Sequence, residues 1–195
     1  SAYYDPNPQQ QLVRPLVVCS FFGGRGNAVA KRIAAFEGWK YVDIYDETAH
    51  RLGHHRASSS WNAERTEWST VRQAVLIQAL QHHPYAVIGL PDGCWLRSHT
   101  ITLISESADI VFIDPNRLTL QENLLDDILE SPERHPEFAD QPIPDIHTLQ
   151  HMYNKRAHLY EMANFLIKAE HMSTTILAKE ALQMIHGQSM RQTIR

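Results

Sequence analysis

Short apolar runs of strand length alternate along this chain with longer segments in which apolar residues recur at helical spacing. Five of the runs predict buried strands, and they cover residues 16–19, 39–44, 85–90, 108–113 and 165–167. Near-continuous apolar strands that alternate with helices are typical of a parallel sheet covered on both faces. The pattern therefore predicts a three-layer α/β/α fold around a five-stranded parallel sheet.

The segments between these strands predict seven helices. The first helix starts near residue 27, the second ends at residue 52, and the third carries its apolar residues between 68 and 80. The other four cover 97–105, 118–129, 146–163 and 174–185. Gly53 is expected to close the second helix, and Ser173 to cap the last one. We also expect Ala28 on the apolar side of the first helix, and Asn62 or Thr66 as the cap of the third.

Proline and polar residues divide the chain into an arm, a domain and a possible lid. Residues 1–14 are polar and interrupted by proline, which predicts a loose arm. Residues 15–195 are expected to form one domain, because a chain of 195 residues suffices for one well-packed core. Residues 131–145 carry four of the ten prolines and several charges, and predict either a flexible loop or a lid over a site.

The composition narrows the class of partner. A net charge of −4 and a pI near 6.3 give no basic footprint for nucleic acid, and no apolar run approaches a membrane span. We therefore predict a small-molecule ligand or a protein partner, with no nucleic-acid or membrane partner. Two cysteines in apolar contexts, Cys19 and Cys94, favour a reduced, cytoplasmic protein. The adjacent histidine pairs at 54–55 and 82–83 lie in polar connections and predict no metal site.

The strongest local motif is the glycine-rich turn between the first strand and the first helix. Gly23, Gly24 and Gly26 precede a helix that opens near Asn27, which is the local architecture of a phosphate-binding loop. In such a loop the backbone N–H groups surround an anion, and the helix N-terminus adds about half a positive charge. The working pattern is G-x-x-x-x-G-K-[S/T], in which the lysine neutralises phosphates and the hydroxyl holds magnesium.

The chain departs from this pattern at each chemically important position. Phe21 stands at the first glycine, Asn27 at the lysine and Ala28 at the hydroxyl residue. Arg25 either replaces the missing lysine charge or points to solvent. The bulky Phe21 and Phe22 either hinder the close approach of a nucleotide or extend the core strand. The sequence thus keeps the glycines of a phosphate loop without its cation and its metal ligand.

With these features in order, residues 16–185 resemble a shikimate kinase, a small P-loop kinase of the nucleoside monophosphate kinase-like group. The family's Asp-x-Asp after the second strand falls on Asp43 and Tyr45. The acid near magnesium is therefore present, and the acid that binds a shikimate hydroxyl is absent. The family's Phe-Arg-x-x-Glu falls on Trp68 and Ser69, so one arginine for the substrate carboxylate is missing.

Three further family features fall on the second half of the chain. A Gly-Gly-Gly turn after the third strand matches Pro91-Asp92-Gly93, and an Arg-x-x-x-Tyr whose arginine holds the substrate carboxylate matches Arg156 and Tyr160. The Arg-Pro of the family's lid resembles His135-Pro136, with Arg134 beside it. The ligand-binding residues that the resemblance implies are Asp43, Tyr45, Trp68, Pro91, Asp92, Gly93 and Arg156.

The resemblance implies a fold made for ATP-dependent phosphorylation of shikimate, but phosphoryl transfer relies on positioning and charge stabilisation that these losses remove. The favoured hypothesis is a pseudokinase that binds a small ligand, less anionic than shikimate, or a protein partner. The alternative is an active enzyme with a changed substrate, either a kinase rescued by Arg25 or non-kinase chemistry with Asp43 and Asp92 as catalytic carboxylates. A domain without a site is the third possibility. Mg-ATP is the expected cofactor only if the altered loop still binds nucleotide.

Overall fold

A computed structural model of the chain describes residues 12–53, 61–130, 132, 138, 142–170 and 172–193. Strands and helices alternate along the chain as the apolar pattern predicts. In chain order they are β1 (Leu16–Ser20), α1 (Gly26–Glu37), β2 (Lys40–Asp43), α2 (Ile44–Leu52), α3 (Trp61–His82), β3 (Ala86–Gly89), α4 (Ser98–Ser107), β4 (Asp109–Asp114), α5 (Leu120–Glu130), α6 (Ile146–Glu161), β5 (Phe165–Lys168) and α7 (Thr174–Thr193).

The five strands form one parallel sheet in the order β2-β3-β1-β4-β5. β1 lies at the centre, where Val17 is in register with Ile88 of β3 on one side and Ile110 of β4 on the other. Because all strands run in the same direction, the loops after β1, β2, β3 and β4 meet at one edge of the sheet. This edge carries the candidate site.

Each face of the sheet is covered by its own set of helices. Val17 and Cys19 of β1 face one core, together with apolar residues of α3, α4, α5 and α6. Leu16 and Val18 face the other core, which α1 and α7 complete. All five residues of β1 are buried, as expected of a central strand covered on both faces. The predicted three-layer α/β/α fold with a five-stranded parallel sheet is confirmed.

Several predicted helix ends are confirmed. Gly53 closes α2 in the left-handed conformation, with φ +69°. The Ser173 hydroxyl oxygen accepts a hydrogen bond from the Ile176 N–H at 3.2 Å, which caps α7.

Other local predictions are wrong. α3 begins at Trp61, so both predicted cap residues, Asn62 and Thr66, lie inside the helix, where Asn and Thr are tolerated at a modest cost. Ala28 is exposed, and Val29 takes the buried position beside Ala30 instead. The predicted lid residues Arg134 and His135 lie outside the described residues, as do residues 1–11 of the predicted arm.

Candidate functional site

The turn after β1 is held in shape by close contacts that only glycine permits. Gly23 has φ +84°, and the Gly24 N–H donates to the Phe21 carbonyl at 3.0 Å. A Cβ on Gly24 would lie 1.6 Å from the Ser20 hydroxyl oxygen, which is itself buried and donates to the Ile113 carbonyl at 2.8 Å. The conformation of this turn therefore requires glycine at both positions.

The guanidinium of Arg25 is bound at the link between β5 and α7. It donates to the Met172 carbonyl at 2.5 Å and to the Thr174 hydroxyl at 3.4 Å. Arg25 precedes α1 with φ +59°, the left-handed conformation that is uncommon outside glycine. Its positive charge is thus directed towards the β5 side of the sheet.

The first N–H of α1 donates to a carboxylate of the protein itself. The Gly26 N–H lies 3.0 Å from Oδ1 of Asp92, which belongs to the turn after β3. The two residues meet because β3 is the direct neighbour of β1 in the sheet. A Cβ on Gly26 would lie 3.2 Å from the same oxygen, so glycine is what admits the carboxylate here.

The two positions that carry the lysine and the hydroxyl of a working loop are occupied differently here. Asn27 is half-buried, and both its carbonyl oxygen and its Oδ1 lie 3.4 Å from the Tyr41 hydroxyl. A Cβ on Gly89 would lie 2.4 Å from Oδ1 of Asn27, so this side chain is directed at β2 and β3. Ala28 is exposed and offers a methyl group only.

Two adjacent phenylalanines of the loop are fully buried. Phe21 is 0% exposed and its ring centroid lies 5.3 Å from that of Tyr153, while Phe22 is 2% exposed and lies 5.2 Å from Phe138. A Cβ on Gly93 would come within 2.6 Å of the Phe22 ring. The rings therefore fill the space between the glycine loop, the turn after β3 and α6.

The predicted ligand positions after β2 are engaged within the protein. The Asp43 carboxylate caps α2 by accepting from the N–H groups of Tyr45, at 3.0 Å, and Asp46, at 3.3 Å. The rings of Tyr45 and Trp68 pack against each other with centroids 5.5 Å apart, and both are buried. Asp43 and Asp92 thus each accept from the N-terminus of a different helix.

The turn after β3 brings together three other predicted residues. The Nε of Arg156 donates to the Gly93 carbonyl at 2.5 Å, and its Nη1 donates to the Met152 carbonyl at 3.0 Å. The Cys94 N–H donates to the Pro91 carbonyl at 3.2 Å, which closes the turn. Asp92, Gly93 and Arg156 therefore form one assembly next to the glycine loop.

Sequence reasoning missed a second charged group at the same edge of the sheet. The Tyr153 hydroxyl donates to the Asp114 carboxylate at 2.9 Å and accepts from Arg117 at 3.2 Å. The Arg117 guanidinium also lies 4.3 Å from the centre of the Tyr153 ring. Burial raises the pKa of Tyr153 to about 12, so the phenol stays protonated and fastens α6 to the end of β4.

Sequence reasoning also missed an acidic cavity of about 280 Å³ beside the glycine loop. It lies between the loop, α5 and the β5–α7 link. Its lining residues are Gly23, Arg25, Asn116, Thr119, Asn123, Asp126, Asp127, Glu130, Ala169 and Glu170. The acids at 126, 127 and 130 fall on one side of α5, a helical spacing that the sequence did contain.

The most buried acid of this cavity has a shifted pKa. Burial raises the pKa of Asp127 to about 6, although a main-chain hydrogen bond from Gly23 and the charge of Arg25 oppose the rise. Its Oδ2 is buried and has no hydrogen-bond partner among the described residues. Compared with the unfolded chain, the folded protein therefore keeps this acid protonated to a higher pH.

We expect Asp127→Asn to stabilise the protein at about pH 8 by roughly 1–2 kcal/mol and to leave it nearly unchanged at about pH 4. The folded-state pKa of about 6 lies above the usual 3.8, so the stability that Asp127 contributes is complete below about pH 4 and is lost as the pH rises through 6. Urea unfolding at the two pH values measures the difference. Asp126→Asn, an exposed neighbour, is the control. Equal effects of Asp127→Asn at both pH values would contradict the prediction.

Neither a cluster of metal ligands nor a membrane-spanning helix occurs in the described part of the chain. His147 and His151 are exposed one turn apart on α6, yet no group of three or more His, Cys, Asp or Glu side chains able to hold a metal ion occurs among the described residues. In the same part of the chain, every helix is too short or too polar to cross a membrane.

Comparison with known proteins identifies the family. The family model of shikimate kinase matches residues 27–186, beginning directly after the glycine loop. No curated protein sequence matches the chain.

Solved structures show the same fold. The shikimate kinase from Acinetobacter baumannii, in complex with shikimate, is similar with TM-score 0.74 and 16% identity, over 93% of this chain and 98% of that chain. The enzyme from Aquifex aeolicus gives 0.67 and 15% over 90% and 98%. The enzyme from Bacteroides thetaiotaomicron gives 0.65 and 13% over 89% and 97%. Together with the family match over most of its length, these findings lead to one assignment: the chain belongs to the shikimate kinase family.

Proposed function

We propose that this protein has lost ATP-dependent phosphorylation of shikimate and acts as a pseudokinase that binds a small ligand or a protein partner. The observation that carries the proposal is the charge of the loop. Asn27 and Ala28 hold the positions of the lysine and the hydroxyl, and the one basic residue of the loop, Arg25, donates to the β5–α7 link instead. The loop thus lacks the cation that stabilises a transferred phosphoryl group.

The residues present do not fit Mg-ATP bound as in a working phosphate loop. Such a loop offers its N–H groups to phosphate, but here the Gly26 N–H donates to the Asp92 carboxylate. The cavity beside the loop is lined by Asp126, Asp127, Glu130 and Glu170 against the single cation of Arg25. Like charges disfavour a polyphosphate in that cavity.

The same surroundings favour a ligand that is neutral or cationic. Asp126 and Glu130 are exposed on the cavity side of α5, so they are accessible to a ligand. The turn after β3 supports the same proposal. Phe21 and Phe22 fill the space beside this turn, which the family resemblance implies is open to the substrate. A shikimate carboxylate at this place would meet aromatic rings, and the nearby Arg156 already donates to the Gly93 carbonyl.

We expect no shikimate-dependent release of ADP above background, at least about a thousandfold below an ordinary shikimate kinase. The missing charged hydrogen bonds are worth roughly 1.5–3 kcal/mol each, and three or more together cost at least this factor. A coupled ADP assay with an active shikimate kinase run in parallel measures the rate. Calorimetric titration with Mg-ATP, Mg-ADP and shikimate measures binding separately from turnover.

A robust shikimate-dependent rate would overturn the proposal. In that case Arg25→Ala should abolish turnover if Arg25 supplies the missing charge. The matched control is Arg32→Ala, which removes an arginine within α1, away from the loop. Loss of turnover in the first variant alone would favour a rescued kinase.

A further inference from the structure

We infer that Asp92 is an autoinhibitory residue whose carboxylate takes the position of a phosphate at the N-terminus of α1 and keeps anions out of the loop. This deepens the proposed function and rests on it for its biological meaning. The central observation is the 3.0 Å hydrogen bond from the Gly26 N–H to Oδ1 of Asp92. A carboxylate and a phosphate oxygen are equivalent acceptors for such an N–H, and both carry negative charge.

The carboxylate is held in place by a turn that is fixed on several sides. The Gly93 N–H donates to the Ser20 carbonyl at 2.8 Å, which fastens the turn to the end of β1. The Leu90 N–H donates to the Val18 carbonyl at 3.0 Å, and Arg156 donates to the Gly93 carbonyl. Asp92 is therefore presented to the loop by the sheet itself and loses little entropy by staying there.

The space at the helix N-terminus is taken as well as its charge. The Gly26 nitrogen is only 3.0 Å from Oδ1 of Asp92, which leaves no room for a ligand oxygen between them. A second carboxylate accepts at the other end of the loop, where the main-chain N–H of Gly23 donates to Asp127. Two carboxylates of the chain thus accept from the loop that would otherwise surround an anion.

A carboxylate at a helix N-terminus can also serve only as a cap. The two roles predict different results when the charge is removed and an acceptor oxygen is kept. Asp92→Asn does this, since the amide oxygen still accepts from Gly26. A cap alone predicts a small change in stability and no change in anion binding. Autoinhibition predicts that the uncharged variant gains affinity for anions.

The probe is inorganic pyrophosphate, titrated calorimetrically into the wild-type protein, Asp92→Asn, Asp92→Ala and the control Glu106→Gln. Glu106 is exposed near the end of α4, which leads into the start of β4 at the opposite end of the sheet, so the control reports the general effect of net charge. We expect Asp92→Asn and Asp92→Ala to bind pyrophosphate at least about tenfold more tightly than the wild type and the control. Circular dichroism and urea unfolding show whether each variant is folded. If Asp92→Ala does not fold, Asp92→Asn still tests the inference, because its amide oxygen can accept from the Gly26 N–H.

Two results would overturn the inference. One is a folded Asp92→Asn that binds pyrophosphate no better than the control Glu106→Gln, and the other is a wild-type protein that binds as tightly as the Asp92 variants. Both results concern anion binding and not shikimate phosphorylation, so the proposed loss of activity would stand. Conversely, a shikimate-dependent ADP release by the wild type would defeat the proposed function, whatever the pyrophosphate titrations give.

Discussion

Replacement of Phe22 by alanine is expected to lower the free energy of unfolding by about 3–5 kcal/mol. The side chain is 2% exposed, and its ring packs on Phe21 with centroids 4.6 Å apart and on Phe138 at 5.2 Å. Truncation removes this apolar burial and leaves a cavity that the fixed turn at Gly93 cannot fill by collapse. Urea unfolding with two-state analysis measures the loss.

The matched control is Phe36→Ala, in which the same side chain is removed from an exposed position on α1. Phe36 is 44% exposed, and its loss should cost less than about 1 kcal/mol. A Phe22→Ala variant that costs no more than this control would mean that the ring does not fill the space beside the turn. The substrate side of the site would then be open rather than filled by the two phenylalanine rings.

Gly93→Ala is expected to cost about 2–5 kcal/mol, for two separable reasons. Gly93 has φ +68°, which an alanine adopts at a cost of about 1–2 kcal/mol. The new methyl group would also lie 2.6 Å from the Phe22 ring, and relieving such overpacking costs about 1–3 kcal/mol. Chemical denaturation of the variant gives the sum.

The chain offers a control that separates the two costs. Gly38 ends α1 with the same φ of +68°, and a Cβ there would meet no atom within 4 Å. Gly38→Ala should therefore show the backbone cost alone, about 1–2 kcal/mol. The double variant Phe22→Ala with Gly93→Ala should cost less than the sum of its single variants, because the clash is gone. Strict additivity would show that the ring and the turn are not in contact.

The contacts of the turn after β3 differ from those that the family resemblance implies. In the family, the resemblance implies, the turn after β3 admits the substrate to the backbone. Here Phe22 covers Gly93, and Asp92 of the same turn accepts from the first N–H of α1. The turn thus contacts an aromatic ring at Gly93 and the N-terminus of α1 at Asp92.

Most of the fold could be predicted because the sheet is buried on both faces. Strands such as β1 and β4 are almost entirely apolar, and turn residues mark their ends, so length and pattern locate them. The start of α3 was mistaken because Asn and Thr also occur inside helices, so the residue type alone does not mark a helix start. Ala28 was misplaced because a helix pattern with several alanines does not define its apolar side sharply.

The site could be predicted only in part. The glycine turn has a local signature, and the sequence itself shows Asn27 and Ala28 where the working pattern of a phosphate loop has lysine and a hydroxyl residue. The bond between Gly26 and Asp92 joins residues that are 66 positions apart, and no local pattern indicates which way a carboxylate in a turn will point. The same is true of Arg25, whose partners lie on the link to α7.

The order of strands in the sheet has a consequence for the way the chain folds. β1 pairs with β3 and β4, and β2 pairs with β3, so neither of the first two strands has a neighbour until Ala86 has been made. The closure of a long loop must therefore precede the first strand pairing, which slows folding relative to a fold with local hairpins. During synthesis, the glycine loop and α1 emerge well before the turn that caps them. The contacts of the glycine loop are consequently completed late, when β3 enters the sheet and brings the Asp92 carboxylate to the helix.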